Sequence, residues 1–168
     1  CAAGKCVHTS DGSCPIGTPF TVDSFNSGAD WTAMKTTPDM RAIVSTGADL
    51  FNLEGDADLY VAVGGGVPTA SVEFALASMV GLGKLRIVIR SAQATTGAMV
   101  SAGVWNGAAW TDKPLGNYAA IPTATYATIE VPTADFGQPL ANLTKMRLTF
   151  TPTGGQKTWY IDEISAAH

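Results

Sequence analysis

Charged residues are scarce in this chain of 168 residues, since Asp, Glu, Lys and Arg together make up only 14% of it. The ten Lys and Arg are scattered singly, so the sequence has no basic patch of the kind that binds nucleic acid. A transmembrane helix needs roughly 20 consecutive apolar residues. The longest apolar run, around 74–83, is shorter and is interrupted by Ser78, Gly81 and Gly83. The sequence therefore predicts no nucleic-acid partner and no transmembrane segment.

Histidine is also scarce, and only His8 and His168 occur, both outside the part of the chain that is predicted to form strands. Nucleophilic catalysis of the Ser-His-Asp or Cys-His type needs a histidine held beside the nucleophile in a folded site. The glycine run at 64–66 is not followed by a helix and a Lys-Ser or Lys-Thr pair, so it indicates a turn rather than a phosphate-binding loop. Both classes of enzyme are therefore disfavoured.

Cysteine is confined to the first 14 residues, CAAGKCVHTSDGSC. The odd count suggests one local disulfide, between Cys6 and Cys14 around an Asp-Gly turn pair, and one cysteine, Cys1, engaged elsewhere. A zinc site built from these three cysteines and His8 is the alternative, but its spacing matches no defensible zinc pattern. We interpret residues 1–19 as a Cys-rich arm or linker, which indicates a secreted or cell-surface location.

Cys1 itself has three interpretations. It could be a lipidated N-terminal cysteine, since small residues follow it, or it could form a disulfide with another chain. It could also have been cut from a larger Cys-rich region upstream. The chain does not begin with Met, so we interpret it as a mature or excised segment.

Short β-branched runs, 15 glycines and 7 prolines fill the rest of the chain, 20–168, which we interpret as one domain. The predicted strands are 20–26, 40–46, 57–63, 70–77, 84–91, 98–105, 125–131, 145–151 and 157–164. Asn106-Gly107 predicts a hairpin turn, and Gly154-Gly155 predicts a second. Strands of this length and number predict an all-β, two-sheet antiparallel β-sandwich of jelly-roll type.

Alternation along these strands separates inward from outward side chains. Trp159 is predicted to lie in the core, as is Trp31. Sugar rings stack their flat C–H patches on aromatic rings, and planar polar side chains bind their hydroxyls, so outward groups of both kinds predict a shallow carbohydrate site. The predicted ligand-binding residues are Trp105, Tyr126, Arg86, Arg90, Glu73 and Glu130 on strands, with Trp110 and Tyr118 in loops. Trp105 is the principal stacking candidate, and the alternative is that it only covers a sheet edge.

Glu73 and Glu130 could also form a catalytic pair, because glycoside hydrolysis needs two carboxyls about 5–10 Å apart. Arginines on the same outward faces would more simply form ion pairs with these glutamates. The sequence therefore predicts a non-catalytic domain.

The segment WYIDEIS, 159–165, has adjacent acids, Asp162 and Glu163. Alternation predicts that the two acids lie on opposite faces, so they would not act as a carboxylate pair. One interpretation is that they are a solvent-facing residue and a strand-end residue. The other is a structural Ca²⁺ site, in which Asp162 and the oxygens of Asp23 and Asn26 join the first and last strands.

Four segments resemble carbohydrate-binding modules of the galactose-binding-like β-jelly-roll fold: DSFNSGADWT (23–32), TYATIEVP (125–132), QPLANLTKMRLTF (138–150) and WYIDEIS. The resemblance covers roughly 20–165. It implies a non-catalytic, extracellular module that binds a polysaccharide or another glycan. In such modules, acids near the first and last strands often hold a structural calcium, which implies that role for Asp23, Asn26 and Asp162.

A structural role is the competing hypothesis. A β domain with low charge, an odd cysteine and an N-terminal arm would also suit a subunit of a surface filament or an adhesin. The arm would then add a strand to a neighbouring subunit or bond to it through Cys1. Non-reducing gels and electron microscopy would reveal such polymers.

Overall fold

The computed structural model describes residues 19–23, 25, 40–46, 57–64 and 69–168. The predicted Cys-rich arm, with the Cys6–Cys14 disulfide and its zinc alternative, lies outside these residues, as does Trp31. The described residues contain strands and short 3₁₀ turns and no α-helix. No helix in this part of the chain is long and apolar enough to span a membrane.

Ten strands form in the described residues, nine of which match the predicted positions to within a few residues. In chain order they are β1 (Phe20–Asp23), β2 (Met40–Thr46), β3 (Ala57–Val63), β4 (Ala70–Ala75), β5 (Lys84–Ser91), β6 (Val100–Trp105), β7 (Trp110–Pro114), β8 (Ala127–Pro132), β9 (Lys145–Phe150) and β10 (Lys157–Ala167). The prediction missed β7, because Thr111, Asp112, Lys113 and Pro114 are typical of a polar loop.

The strands form two sheets in which the described pairings are antiparallel, so the predicted two-sheet antiparallel sandwich is confirmed. The six-stranded sheet has the order β2-β3-β10-β5-β8, and β1 also pairs with β10. The four-stranded sheet has the order β4-β9-β6-β7. Consecutive strands are often in different sheets, which brings distant parts of the sequence side by side.

The core lies between the sheets and follows the predicted alternation. Ile87 and Ile89 of β5 are fully buried, and so are Leu148 and Phe150 of β9. Trp159 is also fully buried, as predicted, and its ring packs 5.0 Å from that of Phe150. Each such side chain stabilises the fold by about 1.5–3 kcal/mol through burial alone.

The two predicted hairpin turns have different outcomes. Asn106-Gly107 does join the antiparallel pair β6 and β7, with Gly107 at a φ of 94°. Gly154 and Gly155 also form a turn with positive φ, but the strands that they connect, β9 and β10, belong to different sheets. The prediction of a hairpin at this second turn is therefore wrong, and the turn is a crossing between the sheets.

The last strand, β10, is central to the six-stranded sheet. One edge pairs with β5, and the other pairs first with β3 and then with β1. The register shifts between Ile161 and Glu163, which places a β-bulge at Asp162. Beyond the bulge Glu163 pairs with Val88, and Ile164 returns to the core opposite Ile87. Glu163 is therefore on the outer face, like Tyr160, and the predicted alternation through Asp162 and Glu163 is wrong.

Candidate functional site

The predicted ligand-binding residues divide between two faces of the sandwich. On the outer face of the four-stranded sheet lie Glu73, Trp105 and Trp110. On the outer face of the six-stranded sheet lie Arg86, Arg90, Glu130 and, just before β8, Tyr126. The sheets pack core to core, so their outer faces point in opposite directions. A single site cannot include both groups, although the sequence treated them as one surface.

The six-stranded sheet has a row of aromatic and cationic side chains across its strands. Tyr160 of β10 is paired with Tyr60 of β3 on one side and with Arg90 of β5 on the other. The rings of Tyr60 and Tyr160 are 5.4 Å apart and meet edge to face at 76°. The guanidinium of Arg90 lies 3.8 Å from the ring of Tyr160 and 5.3 Å from that of Tyr126. We call this row, together with Asp58, the tyrosine face.

Arg90 is held firmly at the centre of the tyrosine face. Only 9% of it is exposed, and its planar guanidinium lies against two phenol rings. Such cation–π contacts stabilise the cation by about 0.5–2 kcal/mol and fix its orientation. The guanidinium and the two rings against it are therefore fixed in orientation before any ligand arrives.

A partly buried hydrogen bond secures one end of the row. The hydroxyl of Tyr126 donates to Oδ2 of Asp58 over 2.5 Å, and the Asp58 side chain is fully buried. Burial raises the pKa of Asp58 above its ordinary value, the nearby charge of Asp162 adds to this, and the Tyr126 hydrogen bond opposes it. Burial and then Asp58 itself raise the pKa of Tyr126 well above its ordinary value. Tyr126 is therefore a neutral phenol at physiological pH.

A depression of about 360 Å³ continues the same outer face toward β1. Its lining includes Thr21, Arg86, Glu163 and Ser165. On the far side of Arg86, Glu130 accepts a hydrogen bond from Lys84 over 2.9 Å and lies 3.4 Å from Arg86 Nε. The ion pairing predicted for Glu130 is thus present.

On the four-stranded sheet, Trp105 and Trp110 are paired across β6 and β7. Their rings are 5.5 Å apart and tilted by 49°. Arg147 stacks its guanidinium 4.4 Å from the ring of Trp110 and donates two hydrogen bonds to Asp112, from Nε and Nη2 over 2.9 and 2.5 Å. We call these four residues the tryptophan face. It confirms that Trp105 points away from the core.

Glu73 is on this side of the molecule as well, 3.9 Å from the Lys145 ammonium. Glu130 is in the other sheet. The two glutamates therefore cannot flank one glycosidic bond, and the catalytic pair that the sequence left open does not form.

Tyr118 lies just after the 3₁₀ turn Leu115–Asn117 and donates a hydrogen bond to Asp135 Oδ2 over 2.9 Å. Burial, followed by this hydrogen bond and the charge of Asp135, raises the pKa of Tyr118 to about 12. Its hydroxyl is thus engaged within the loops rather than on the tyrosine or tryptophan face.

Only part of the predicted calcium site can be located. Asn26 and the side chain of Asp23 lie outside what the structure describes, whereas the backbone of Asp23 pairs with Ile164 of β10. Among the described residues, no group of three or more His, Cys, Asp or Glu is placed to hold a metal ion. Asp162 is fully buried, and Asp58 Oδ1 is buried and accepts no hydrogen bond from described residues. Oxygens of this kind suit a hard cation, so Ca²⁺ stays a prediction.

Sequence reasoning missed three members of the tyrosine face: Asp58, Tyr60 and Tyr160. Alternation in the segment ADLYVAV already turns Asp58 and Tyr60 away from the core, and alternation turned Tyr160 outward too. What the sequence did not contain is that β3, β10 and β5 are neighbours, because β10 comes last in the chain and inserts between the other two.

Comparison by sequence finds no protein-family model that matches this chain and no curated protein that matches it. Comparison by structure does find matches. The family 30 carbohydrate-binding module of a cellulosomal cellulase from Clostridium thermocellum matches with a TM-score of 0.65 and 12% identity, over 90% of this chain and 99% of that one. A family 11 module from the same organism, solved with a β-1,3-1,4-mixed-linked tetrasaccharide, has a TM-score of 0.62 and 12% identity, over 89% and 95%.

A β-1,2-glucanase from Parabacteroides distasonis also matches, with a TM-score of 0.64 and 14% identity over 89% of this chain. This chain spans only 25% of that enzyme. The matches therefore include both separate modules and part of a larger enzyme. The fold is that of a carbohydrate-binding-module-like β-jelly roll, as the four sequence segments had indicated.

Proposed function

We propose that this chain is a non-catalytic, extracellular polysaccharide-binding domain and that the tyrosine face is its binding surface. The observation that carries the proposal is the row of Tyr60, Tyr160, Arg90 and Tyr126, which come from four different strands or strand flanks and meet on one side of the sheet. Aromatic rings and a planar cation in contact, on an outer sheet face, are the groups that bind sugar rings and their hydroxyls.

The geometry suits a glycan chain more than a compact ligand. Tyr60 and Tyr160 present rings at a steep angle to each other, so successive sugar rings would stack on them in different orientations. Arg90, which is 9% exposed and hydrogen-bonds to Tyr126, would hold the phenol rings in position beneath the sugars. Because Arg90 is already held by Tyr160 and Tyr126, binding immobilises few additional side-chain rotations, which favours affinity.

The depression around Arg86, Glu163 and Ser165 extends this surface along the strands. Its lining includes the charged and hydroxyl groups of Thr21, Arg86, Glu163 and Ser165, with the ring of Phe20 among them. A polysaccharide that stacks on the tyrosine face would thus continue over a mainly polar region, where hydrogen bonds would contribute most of the binding.

The fold supports the same proposal. Several structures that match this one are carbohydrate-binding modules, and one of them was solved with a mixed-linked tetrasaccharide. A likeness at 12% identity concerns the fold alone, so the glycan of this chain is argued from its own residues. Mixed-linked β-glucan is nevertheless a reasoned first ligand to test. Xylan is the second, because a xylan-binding domain from Paenibacillus barcinonensis also matches this fold, with a TM-score of 0.56 and 10% identity.

The arrangement of acids supports a domain without catalysis. Hydrolysis of a glycosidic bond needs two carboxyls that reach it from a cleft. Asp58 and Asp162 are near each other but are fully buried, and Glu130 is committed to Lys84 and Arg86. These acids serve the structure of the face, and we propose that the domain binds without turnover.

The test is native affinity electrophoresis in gels that contain mixed-linked β-glucan, xylan or agar. Tyr160→Ala removes the ring at the centre of the row, whereas the matched variant Tyr160→Phe keeps the ring and removes only the hydroxyl. We expect the alanine variant to bind at least tenfold more weakly, equivalent to about 1.4 kcal/mol, and the phenylalanine variant to stay close to the wild type.

Equal retardation of the wild type and Tyr160→Ala would contradict the placement of the site. No retardation of the wild type in any gel would contradict the function itself. That result would favour the alternative function, a subunit of a surface filament or an adhesin. Non-reducing gels would test it directly by revealing polymers linked through Cys1.

A further inference from the structure

The tryptophan face lies on the side of the sandwich opposite the tyrosine face. Trp105 and Trp110 are half-buried side chains that project from the outer surface of β6 and β7, with no part in the core between the sheets. Two adjacent indoles that project from an outer sheet face form an apolar patch that a ligand can contact. The proposed function uses none of these residues, so their arrangement calls for its own explanation.

The polar part of this face is built to a fixed geometry. Arg147 forms a bidentate pair with Asp112 and also stacks on Trp110. The pair lies directly over Gly103, where a Cβ would collide with Asp112 Oδ1 and come within 3.1 Å of Arg147 Cγ. Glycine at this position is what allows the guanidinium and carboxylate to lie flat on the sheet beside the indoles.

The hairpin that presents the indoles is held by neighbouring loops. Asn106 accepts hydrogen bonds at Oδ1 from the backbone N–H groups of Ala108 and Ala109, each over 2.9 Å. Its Nδ2 donates to Gln138 Oε1 over 2.8 Å, and Gln138 Nε2 donates in turn to Thr111 Oγ1. Both ends of the turn are thereby fixed, and a ligand would meet a surface that is already ordered.

The charges of this face favour a neutral ligand. Arg147 is paired with Asp112, and Lys145 lies 3.9 Å from Glu73, so the cations are balanced locally by anions. An anionic polymer such as a nucleic acid would need unbalanced cations for its phosphates. Farther along the sheet come hydroxyls, such as those of Ser71 and Thr149, 3.2 Å apart.

The apolar area is also small for a protein partner. A stable protein interface buries about 800 Å² on each side around an apolar centre, whereas this face offers two indoles beside charged pairs. Two tilted rings, a planar guanidinium and carboxylate, and a strip of hydroxyls instead match the alternating C–H faces and hydroxyl edges of a neutral polysaccharide.

We propose that the tryptophan face is a second polysaccharide-binding surface, so that one domain holds two neutral glycan chains on opposite sides. This inference rests on the proposed function, since it assumes that the tyrosine face is the first surface. Two surfaces that point in opposite directions cannot both bind one short segment of a chain. Each molecule is therefore a cross-link between polysaccharide strands, and its binding to a polymer network gains from the presence of both contacts.

The simpler alternative is that the two indoles only close the hairpin. A cross-strand aromatic pair contributes roughly 0.2–1 kcal/mol to stability. In that case, replacing the indoles would lower the melting temperature and leave polysaccharide binding unchanged.

The experiment compares the wild type with Trp105→Ala/Trp110→Ala, with Tyr160→Ala and with the variant carrying all three changes. The probes are soluble mixed-linked β-glucan and xylan, used in affinity electrophoresis and in a turbidity assay of cross-linking. We expect the wild type to increase the turbidity of a solution of the long polysaccharide by cross-linking its strands. Each single-face variant should remain retarded but no longer cause turbidity, and the combined variant should not be retarded.

A second measurement is independent of the stability of the tryptophan variants. Trp159 is buried, so with Trp31→Phe added to remove the remaining indole, a change in emission when glucan is added to Tyr160→Ala would report contact with Trp105 and Trp110. Trp105→Phe/Trp110→Phe retains flat rings and should preserve most of the cross-linking, which separates stacking from the fold of the hairpin.

Each result separates this inference from the proposed function. Loss of all retardation in Tyr160→Ala, with unchanged indole emission, would overturn the second surface and leave the first intact. Wild-type turbidity in the double tryptophan variant would also overturn it. If the double tryptophan variant alone lost binding, the tyrosine face and the cross-linking would both be overturned, and if the wild type bound neither probe, both proposals would fail.

Discussion

At the residue scale, the tyrosine face depends on groups that are buried and yet polar. Asp58 is fully buried and accepts the hydrogen bond of Tyr126, while Arg90 stacks on the rings beside it. Buried polar groups of this kind are costly unless they are hydrogen-bonded or paired. Here the buried polar groups are paired, which offsets the free-energy cost of burial. The pairing also fixes the orientation of the phenol and guanidinium groups, which a binding surface requires.

The raised pKa of Asp58 predicts how the stability of the protein depends on pH. In the unfolded chain Asp58 ionises at its ordinary pKa of 3.8, whereas the folded protein keeps the proton to higher pH. The stability that protonated Asp58 contributes to the fold is therefore fully present below pH 3.8 and is lost as pH rises through the pKa of the folded state.

Asp58→Asn cannot titrate at this position. We therefore expect the variant to become more stable relative to the wild type, with a larger free energy of unfolding, as pH rises above 3.8. A difference of one between the folded and unfolded pKa corresponds to about 1.4 kcal/mol. Urea unfolding of both proteins over a series of pH values measures this. Parallel pH profiles would contradict the prediction.

At the element scale, two local irregularities decide where side chains point. The bulge at Asp162 moves Glu163 onto the outer face, and the turn at Asn106-Gly107 sets Trp105 opposite Trp110. The sequence predicted the turn because a turn with positive φ favours particular residue types, here Asn followed by Gly. The bulge was not, because no residue type marks it and it arises from the pairing of β10 with β5.

Gly107 has a φ of 94°, a conformation that is strained for any residue with a Cβ. We expect Gly107→Ala to lower the free energy of unfolding by about 1–3 kcal/mol. Its control is Gly64→Ala, since an added Cβ at either site meets no atom within 4 Å, while Gly64 is not in the positive-φ region. Thermal or urea unfolding of the two variants compares them directly, and equal losses would show that the backbone conformation is not the cause.

At the scale of the whole molecule, the closing of the sandwich brings the two ends of the domain together. β1 pairs with the second half of β10, so the predicted calcium ligands at Asp23 and Asp162 belong to neighbouring strands. A cation at this junction would offset the repulsion between Asp162 and Asp58, and it would bind only the folded protein.

We therefore expect Ca²⁺ to raise the melting temperature of the wild type and a chelator to lower it. The stabilisation is about 2.7 kcal/mol when free Ca²⁺ is a hundredfold above its dissociation constant. Asp162→Asn should melt at the same temperature with Ca²⁺ and with the chelator, as measured by calorimetry. Identical melting curves for the wild type under the two conditions would argue against a calcium site.

The sequence by itself determined the all-β class, most strand positions, the inward-facing residues and the hairpin at Asn106-Gly107. These are local properties, because alternation, strand propensity and turn chemistry depend on residues that are close together in the chain. For the same reason Trp105 could be assigned to an outer face and Trp159 to the core.

Only the tertiary structure decided which strands are neighbours and therefore which outward side chains form a site. β10 comes last in the sequence and lies between β3 and β5, so Tyr60, Tyr160 and Arg90 become adjacent only when distant segments pair. The assignment of β5 and β6 to different sheets likewise separated Arg90 from Trp105. Non-local strand order is set by how the whole chain buries its apolar faces, and local patterns do not specify it.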